Sequence, residues 1–269
     1  MRNFIVILTS ILMAAHTQAI DNLRFPDLRT LSLGSGGVIE SPLFNPSLLG
    51  FIDRNKLYSH YYNRYSISNL ANVGGGLYYK NNILPAGFEI TSFGYNDYRE
   101  SMFRFSFGKR IANYWAIGVS FQYCMFQSLQ DEENTGRISA DIGITYRPSE
   151  TFNIGLAALH CPSVKIGDKN VDNEHLVPYS IAAGINWRVT SSALITGSVE
   201  NNREEPLTGS FGVEYQPFDD FHLRTGIRTT PLRPSLGVGY RFAGFNFDVG
   251  MLYHSVLGVS MGFGLSFNF

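Results

Sequence analysis

From about residue 57 to the carboxy-terminus, apolar side chains recur at every second position. Trp115, Ile117, Val119, Phe121 and Tyr123 alternate with Ala116, Gly118, Ser120, Gln122 and Cys124. Ile138 to Tyr146, Tyr179 to Trp187, Phe245 to Tyr253 and Val259 to Phe269 repeat the pattern. A period of two is that of a β-strand with one apolar face. Each run is about ten residues long, the length a tilted strand needs to cross a bilayer. The pattern predicts about fourteen strands, an even number as in single-chain bacterial barrels. Their expected spans are 57–66, 72–80, 85–93, 101–109, 114–126, 136–147, 151–160, 178–188, 192–201, 207–216, 220–229, 233–241, 244–254 and 257–269.

The second face decides between two all-β architectures. In a soluble sandwich it meets water and carries many Lys and Glu. Here it carries Gly, Ser, Ala and Thr. An aromatic followed by a polar residue also closes several strands: Tyr146-Arg147, Trp187-Arg188, Tyr215-Gln216 and Tyr240-Arg241. Such pairs suit a membrane interface, with the ring at headgroup level and the cation reaching water. The expected fold is an all-β, membrane-spanning antiparallel β-barrel of about fourteen strands with a short amino-terminal plug. The four pairs fall at one end of the barrel, whose short turns assign it to the periplasm. Longer polar connections at 94–100, 127–135, 162–175 and 202–206 face outward.

Ahead of the barrel, Arg2 precedes an apolar stretch from Phe4 to Ala15 and small residues at Thr17-Gln18-Ala19. This reads as a secretory signal, residues 1–19, too short for a spanning helix. The expected domains are thus a signal peptide at 1–19, a plug at 20–56 and a barrel at 57–269. The formal net charge is −1, so no clustered basic surface for nucleic acid is expected. Export leaves open a disulfide between the two cysteines, Cys124 and Cys161.

Residues 20–56 do not alternate. They hold a glycine-rich stretch, Leu31 to Val38, and then Asn45-Pro46-Ser47-Leu48. With about fourteen strands behind it, this layout resembles the fatty-acid-transporter-like outer-membrane barrels. Among these it is most similar to the PorV/PorQ group attached to the type IX secretion system of Bacteroidetes. That group typically has Asn-Pro-Ala, where this chain has Ser47. The resemblance implies that Asn45, Pro46 and Ser47 form the turn of a plug inside the lumen. The terminal Phe269 resembles the signature read by the barrel assembly machinery. By resemblance, then, the partners are outer-membrane lipid, that machinery and type IX components.

No catalytic set is evident. The sequence has no Gly-x-Ser-x-Gly elbow and no His-Glu-x-x-His pair, so no enzyme activity, cofactor or metal is expected. Asp168 to Glu174 begins like a calcium loop, but Tyr179 stands where the closing Glu belongs. The small-sided face also carries Glu89, Arg104, Asp141, Glu200, Glu214, Arg224, Arg228 and Asp248. Mixed charges in a narrow lumen are expected to pair. Alternatively Arg224 and Arg228 form a polar constriction that attracts an anion. The leading functional expectation is a non-enzymatic accessory or shuttle-like component of type IX secretion. The rival is a fatty-acid-transporter-like channel for a small hydrophobic ligand, with Gly74 to Gly76 kinking a strand to make an exit.

Overall fold

A computed structural model of the chain describes residues 22–25, 27–128, 135–167, 177–203 and 206–269. The expected signal peptide and the calcium-like stretch, residues 168–174, lie outside them. The strands are β1 (Lys56–Asn63), β2 (Ala71–Tyr79), β3 (Ala86–Gly94), β4 (Tyr98–Ala112) and β5 (Trp115–Ser128). There follow β6 (Thr135–Ser149), β7 (Phe152–Leu159), β8 (Ser163–Ile166), β9 (Ser180–Arg188) and β10 (Ala193–Asn202). The series ends with β11 (Thr208–Phe218), β12 (Phe221–Arg228), β13 (Arg233–Phe242), β14 (Phe245–His254) and β15 (Gly258–Asn268). All except β8 form one closed antiparallel ring of fourteen strands, each paired with its neighbour. β15 pairs with β1 from Asn268 opposite Lys56 to Met261 opposite Asn63. Asn55 and Phe269 extend that seam, each donating its N–H to the other's carbonyl at 3.1 and 3.0 Å.

The alternation reads directly onto the ring. Phe105, Phe121, Ile142, Ile181, Phe211, Phe247 and Phe263 are exposed on the outer face. An apolar surface that encircles the molecule far exceeds the patches water-soluble monomers expose. It suits a wall surrounded by lipid hydrocarbon. Trp115, Trp187, Tyr215, Tyr240 and Phe245 stand outward at the short-turn end. There the strands are joined by tight links such as Ala243-Gly244, both in the left-handed region (φ 49° and 87°). This is the geometry a two-residue hairpin turn requires. Bulges interrupt the pairing at Tyr146–Ser149 and Tyr215–Phe218, where Pro148 and Pro217 have no N–H to offer the ladder.

Two local expectations change. Gly74 to Gly76 make no kink; they pair in unbroken register with β1 and β3. They are small because a Cβ on Gly74 would lie 2.7 Å from the His60 ring and one on Gly76 2.9 Å from Tyr58. The interruption falls instead between β7 and β8. His160 adopts φ 55°, and its N–H donates to the Asp141 carboxylate at 2.7 Å. Past it the chain regains β6, so β6 pairs with β7 below and β8 above. No disulfide joins the cysteines; Cys124 is buried and Cys161 exposed.

The described residues between 22 and 55 run against the inward faces of the ring. They include a short helix, α1 (Leu28–Ser32), and a 3-10 turn, Pro46–Phe51. Asp27 caps α1 by accepting from the Thr30 N–H at 2.8 Å, one of the donors a helix start leaves unpaired. α1 packs on β12 to β15, and the 3-10 turn on β4, β5 and β6. Glycines in the wall make the room. Gly108, Gly118 and Gly143 lie side by side in register. A Cβ on Gly118 would sit 2.3 Å from the Pro46 carbonyl carbon, and one on Gly143 2.0 Å from Asn45 Oδ1.

Candidate functional site

The 3-10 turn is fixed by its own first residues. Asn45 Oδ1 accepts from the Ser47 N–H at 3.1 Å and from its hydroxyl at 2.6 Å. Asn45 Nδ2 donates to the Val38 carbonyl at 3.0 Å and to Thr145 Oγ1 at 3.2 Å. Ser47 Oγ also meets Thr145 Oγ1 at 2.7 Å. Asn45 and Ser47 are fully buried, so an unmet amide there would be costly. Asn-Pro-Ser therefore forms a locked turn seated in the glycine bed of β4 to β6.

The ionisable residues picked out by parity all face inward and fall into three groups, the last of them Glu200 with Arg228. In the first, Glu89 stands opposite Arg104 across β3 and β4. Arg104 lies 3.5 Å from Glu89 and 3.0 Å from Asp141. It also donates to Ser120 Oγ at 3.0 Å, and Ser120 donates to Asp141 at 2.7 Å. Arg104 further donates to the Leu43 carbonyl, which ties the wall to the amino-terminal segment. Tyr58 and Tyr78 donate to Glu89 at 2.6 and 2.7 Å. In the second group Arg224 bonds Glu214 at 2.6 Å and also bonds Asp248. Arg29 of α1 reaches the same Glu214 through two nitrogens, at 2.9 and 3.1 Å. Burial works against the Arg29 charge, but the carboxylates around it, Glu214 foremost and then Glu40 and Asp27, together hold its pKa above the ordinary guanidinium value. Arg228 lies 3.7 Å from Glu200, which also binds Arg24.

These pairs divide the lumen into unlike ends. Toward the longer loops, inward Met102, Cys124 and Phe126 pack with Leu23, Leu43, Phe44 and Val177 in one buried apolar cluster. It lies on the same half of the wall as the β7–β8 interruption. Toward the short turns lies a polar cavity of about 440 Å3, lined by Lys56, Arg188, His222, Arg224 and Arg241 among others. Sequence parity marked Arg224 but missed Arg29, because α1 has no strand period. Arg188 and Arg241 were legible as strand-closing cations but assigned to the interface. Their aromatic neighbours point outward while they point in.

Among the described residues no group of three or more His, Cys, Asp or Glu has the spacing to hold a metal ion. No described helix is long and apolar enough to cross a membrane.

The sequence matches no protein-family model, and no curated protein matches it. Solved structures do match in fold. The Pseudomonas putida toluene transporter TodX superposes with a TM-score of 0.63 at 10% identity, covering 94% of this chain and 99% of that one. A deltaS2 mutant of the TodX monoaromatic hydrocarbon channel gives 0.66 at 10% identity, over 93% of this chain and 100% of that one. A Pseudomonas aeruginosa FadL homologue gives 0.60 at 11% identity, over 92% and 99%. The chain therefore has the fold of these barrels.

Proposed function

We propose that this protein is an outer-membrane barrel that passes small hydrophobic molecules. The observation that carries the reading is the apolar cluster at the long-loop end. Open porin-like lumens are polar, yet here the wall itself turns Met102, Cys124 and Phe126 inward, and all three are buried. Leu23, Leu43 and Phe44 of the amino-terminal segment cover that lining. The segment acts as a plug whose displacement exposes it, and the β7–β8 interruption supplies a non-uniform stretch of wall beside it. The fold shared with TodX and the FadL homologue supports a hydrocarbon-type passage. The type IX role implied by the Asn45-Pro46-Ser47 resemblance finds no support in these folds. Phe269, with its backbone in the closing seam and its ring stacked on Phe267 at 5.8 Å, fits an assembly signal.

The test is uptake of radiolabelled toluene by cells whose outer membrane carries the chain. Uptake faster than vector controls is expected, and Phe126→Asp in a correctly inserted barrel slows it. Uptake equal to vector, together with no toluene binding by the purified protein, overturns the reading.

A further inference from the structure

A second site lies at the opposite end of the lumen. Six cations stand at inward positions around the short-turn rim: Lys56, Lys80, Arg110, Arg147, Arg188 and Arg241. Three are engaged by the chain leading into β1. Lys80 donates to the Asp53 carbonyl at 2.8 Å, and Arg110 and Arg147 stack on the Phe51 ring at 5.0 and 4.3 Å. The other three, Lys56, Arg188 and Arg241, line the polar cavity; Lys56 lies 5.8 Å from the Tyr58 ring centre and Arg241 donates to Asn246 at 3.2 Å. Among the described residues none of these three forms an ion pair.

Each acid in that cavity has a partner inside the protein, although one Glu40 oxygen is buried without one. Glu214 and Asp248 bind Arg29 and Arg224. Asp27 caps α1. Glu40 accepts from Thr196. The histidine beside them adds an unused donor. His222 Nε2 lies 3.4 Å from Arg241 Nη2. A guanidinium can only donate, so Nε2 accepts and the proton of the neutral ring sits on Nδ1. That Nδ1 is buried without a partner, on a residue that is 7% exposed.

We infer that this cavity binds a compact oxyanion, a carboxylate or phosphate group, held by Lys56, Arg188 and Arg241 with His222 Nδ1–H completing the donor set. The cavity's 440 Å3 lies in the range of small-molecule sites. Charge-assisted hydrogen bonds to an oxyanion are the strong kind, and low-dielectric walls focus the rim's field on it. Leu43 lines both this cavity and the apolar cluster, but the three cations stand at the rim, and anion binding there does not depend on the hydrophobic passage.

Calorimetry on the purified full chain in detergent tests it, with sodium benzoate and inorganic phosphate as separate probes. Saturable binding of at least one probe, weakened by salt, is expected. Arg188→Gln with Arg241→Gln raises its Kd at least ~10-fold, and His222→Phe raises it less. Lys109→Gln, on the outer face, leaves it unchanged. Which probe binds distinguishes a carboxylate from a phosphate ligand. Binding of neither, or binding that survives the double substitution in a barrel with normal heat-modifiable migration, overturns the inference. If the double variant lacks that migration, Lys56→Gln decides: an unchanged Kd overturns the inference and a raised one supports it. Toluene uptake plays no part in this readout, so the two proposals fail separately.

Discussion

The walls at β3 to β6 and at β11 to β14 carry the same charge pattern in different settings. In each, an acid faces an arginine on the next strand, Glu89 with Arg104 and Glu214 with Arg224. In each, a small residue follows on the third strand, directly opposite an acid on the fourth, Ser120 with Asp141 and Gly239 with Asp248. In the first wall the side chains of Glu89, Arg104 and Asp141 are 1–2% exposed, and Leu43 is drawn onto the arginine. In the second, Arg224 and Asp248 are 5% and 19% exposed, and Arg29 adds a second cation. Ser120 relays between its partners, whereas Gly239 leaves a gap that Arg224 crosses itself. One motif thus serves as a sealed structural tie on one side and as the floor of an accessible cavity on the other. The amino-terminal segment lays the Leu43 carbonyl directly on Arg104, whereas it meets the second pair through the Arg29 side chain.

The largest contrast is expected from removing each arginine. Arg104→Met strands two buried carboxylates and costs ~3–5 kcal/mol. Arg224→Met leaves Glu214 with Arg29 and Asp248 nearer water, and costs about 1–3 kcal/mol. Urea unfolding in detergent, followed by heat-modifiable migration, compares them; equal losses would erase the distinction between the walls. Gly239→Ser imports the relay residue of the first wall. Its Cβ would lie 2.6 Å from an Arg224 nitrogen, so an overpacking cost of about 1–3 kcal/mol is expected by the same assay. A smaller effect concerns Glu40, whose pKa burial raises above its ordinary 4.5, against the Thr196 hydrogen bond and Arg29. The folded state then holds that proton more tightly than the unfolded one. Stability falls as pH rises from the ordinary value through the raised one. Glu40→Gln removes that fall, which unfolding midpoints across pH would show; a profile identical to wild type contradicts it. Least of all, Arg29→Gln costs under about 1 kcal/mol, because its side chain is 31% exposed and screened. Added salt narrows that loss further.

The barrel was legible because lipid outside and a filled lumen inside enforce period two on every strand. The expected 114–126 became Trp115–Ser128, and 178–188 became Ser180–Arg188. β8 escaped because Leu159 and His160 both bury their side chains, which breaks the period just before a four-residue strand. Parity placed Glu89, Arg104 and Asp141 inside but could not pair them. Pairing is set by register between strands, which no single strand encodes. The seat of Asn45-Pro46-Ser47 was hidden for the same reason. Gly108, Gly118 and Gly143 are far apart in sequence and become a bed only when β4, β5 and β6 align. Arg29 lies on a single turn of helix with no period to read.

The mutual bonds of Asn55 and Phe269 place the clasp of the hoop beside the tract that fills its bore. That tract runs directly into β1, the strand that accepts β15 at the seam. Parting the seam would bare the margins of both strands, and an unpaired margin is a template for joining another chain.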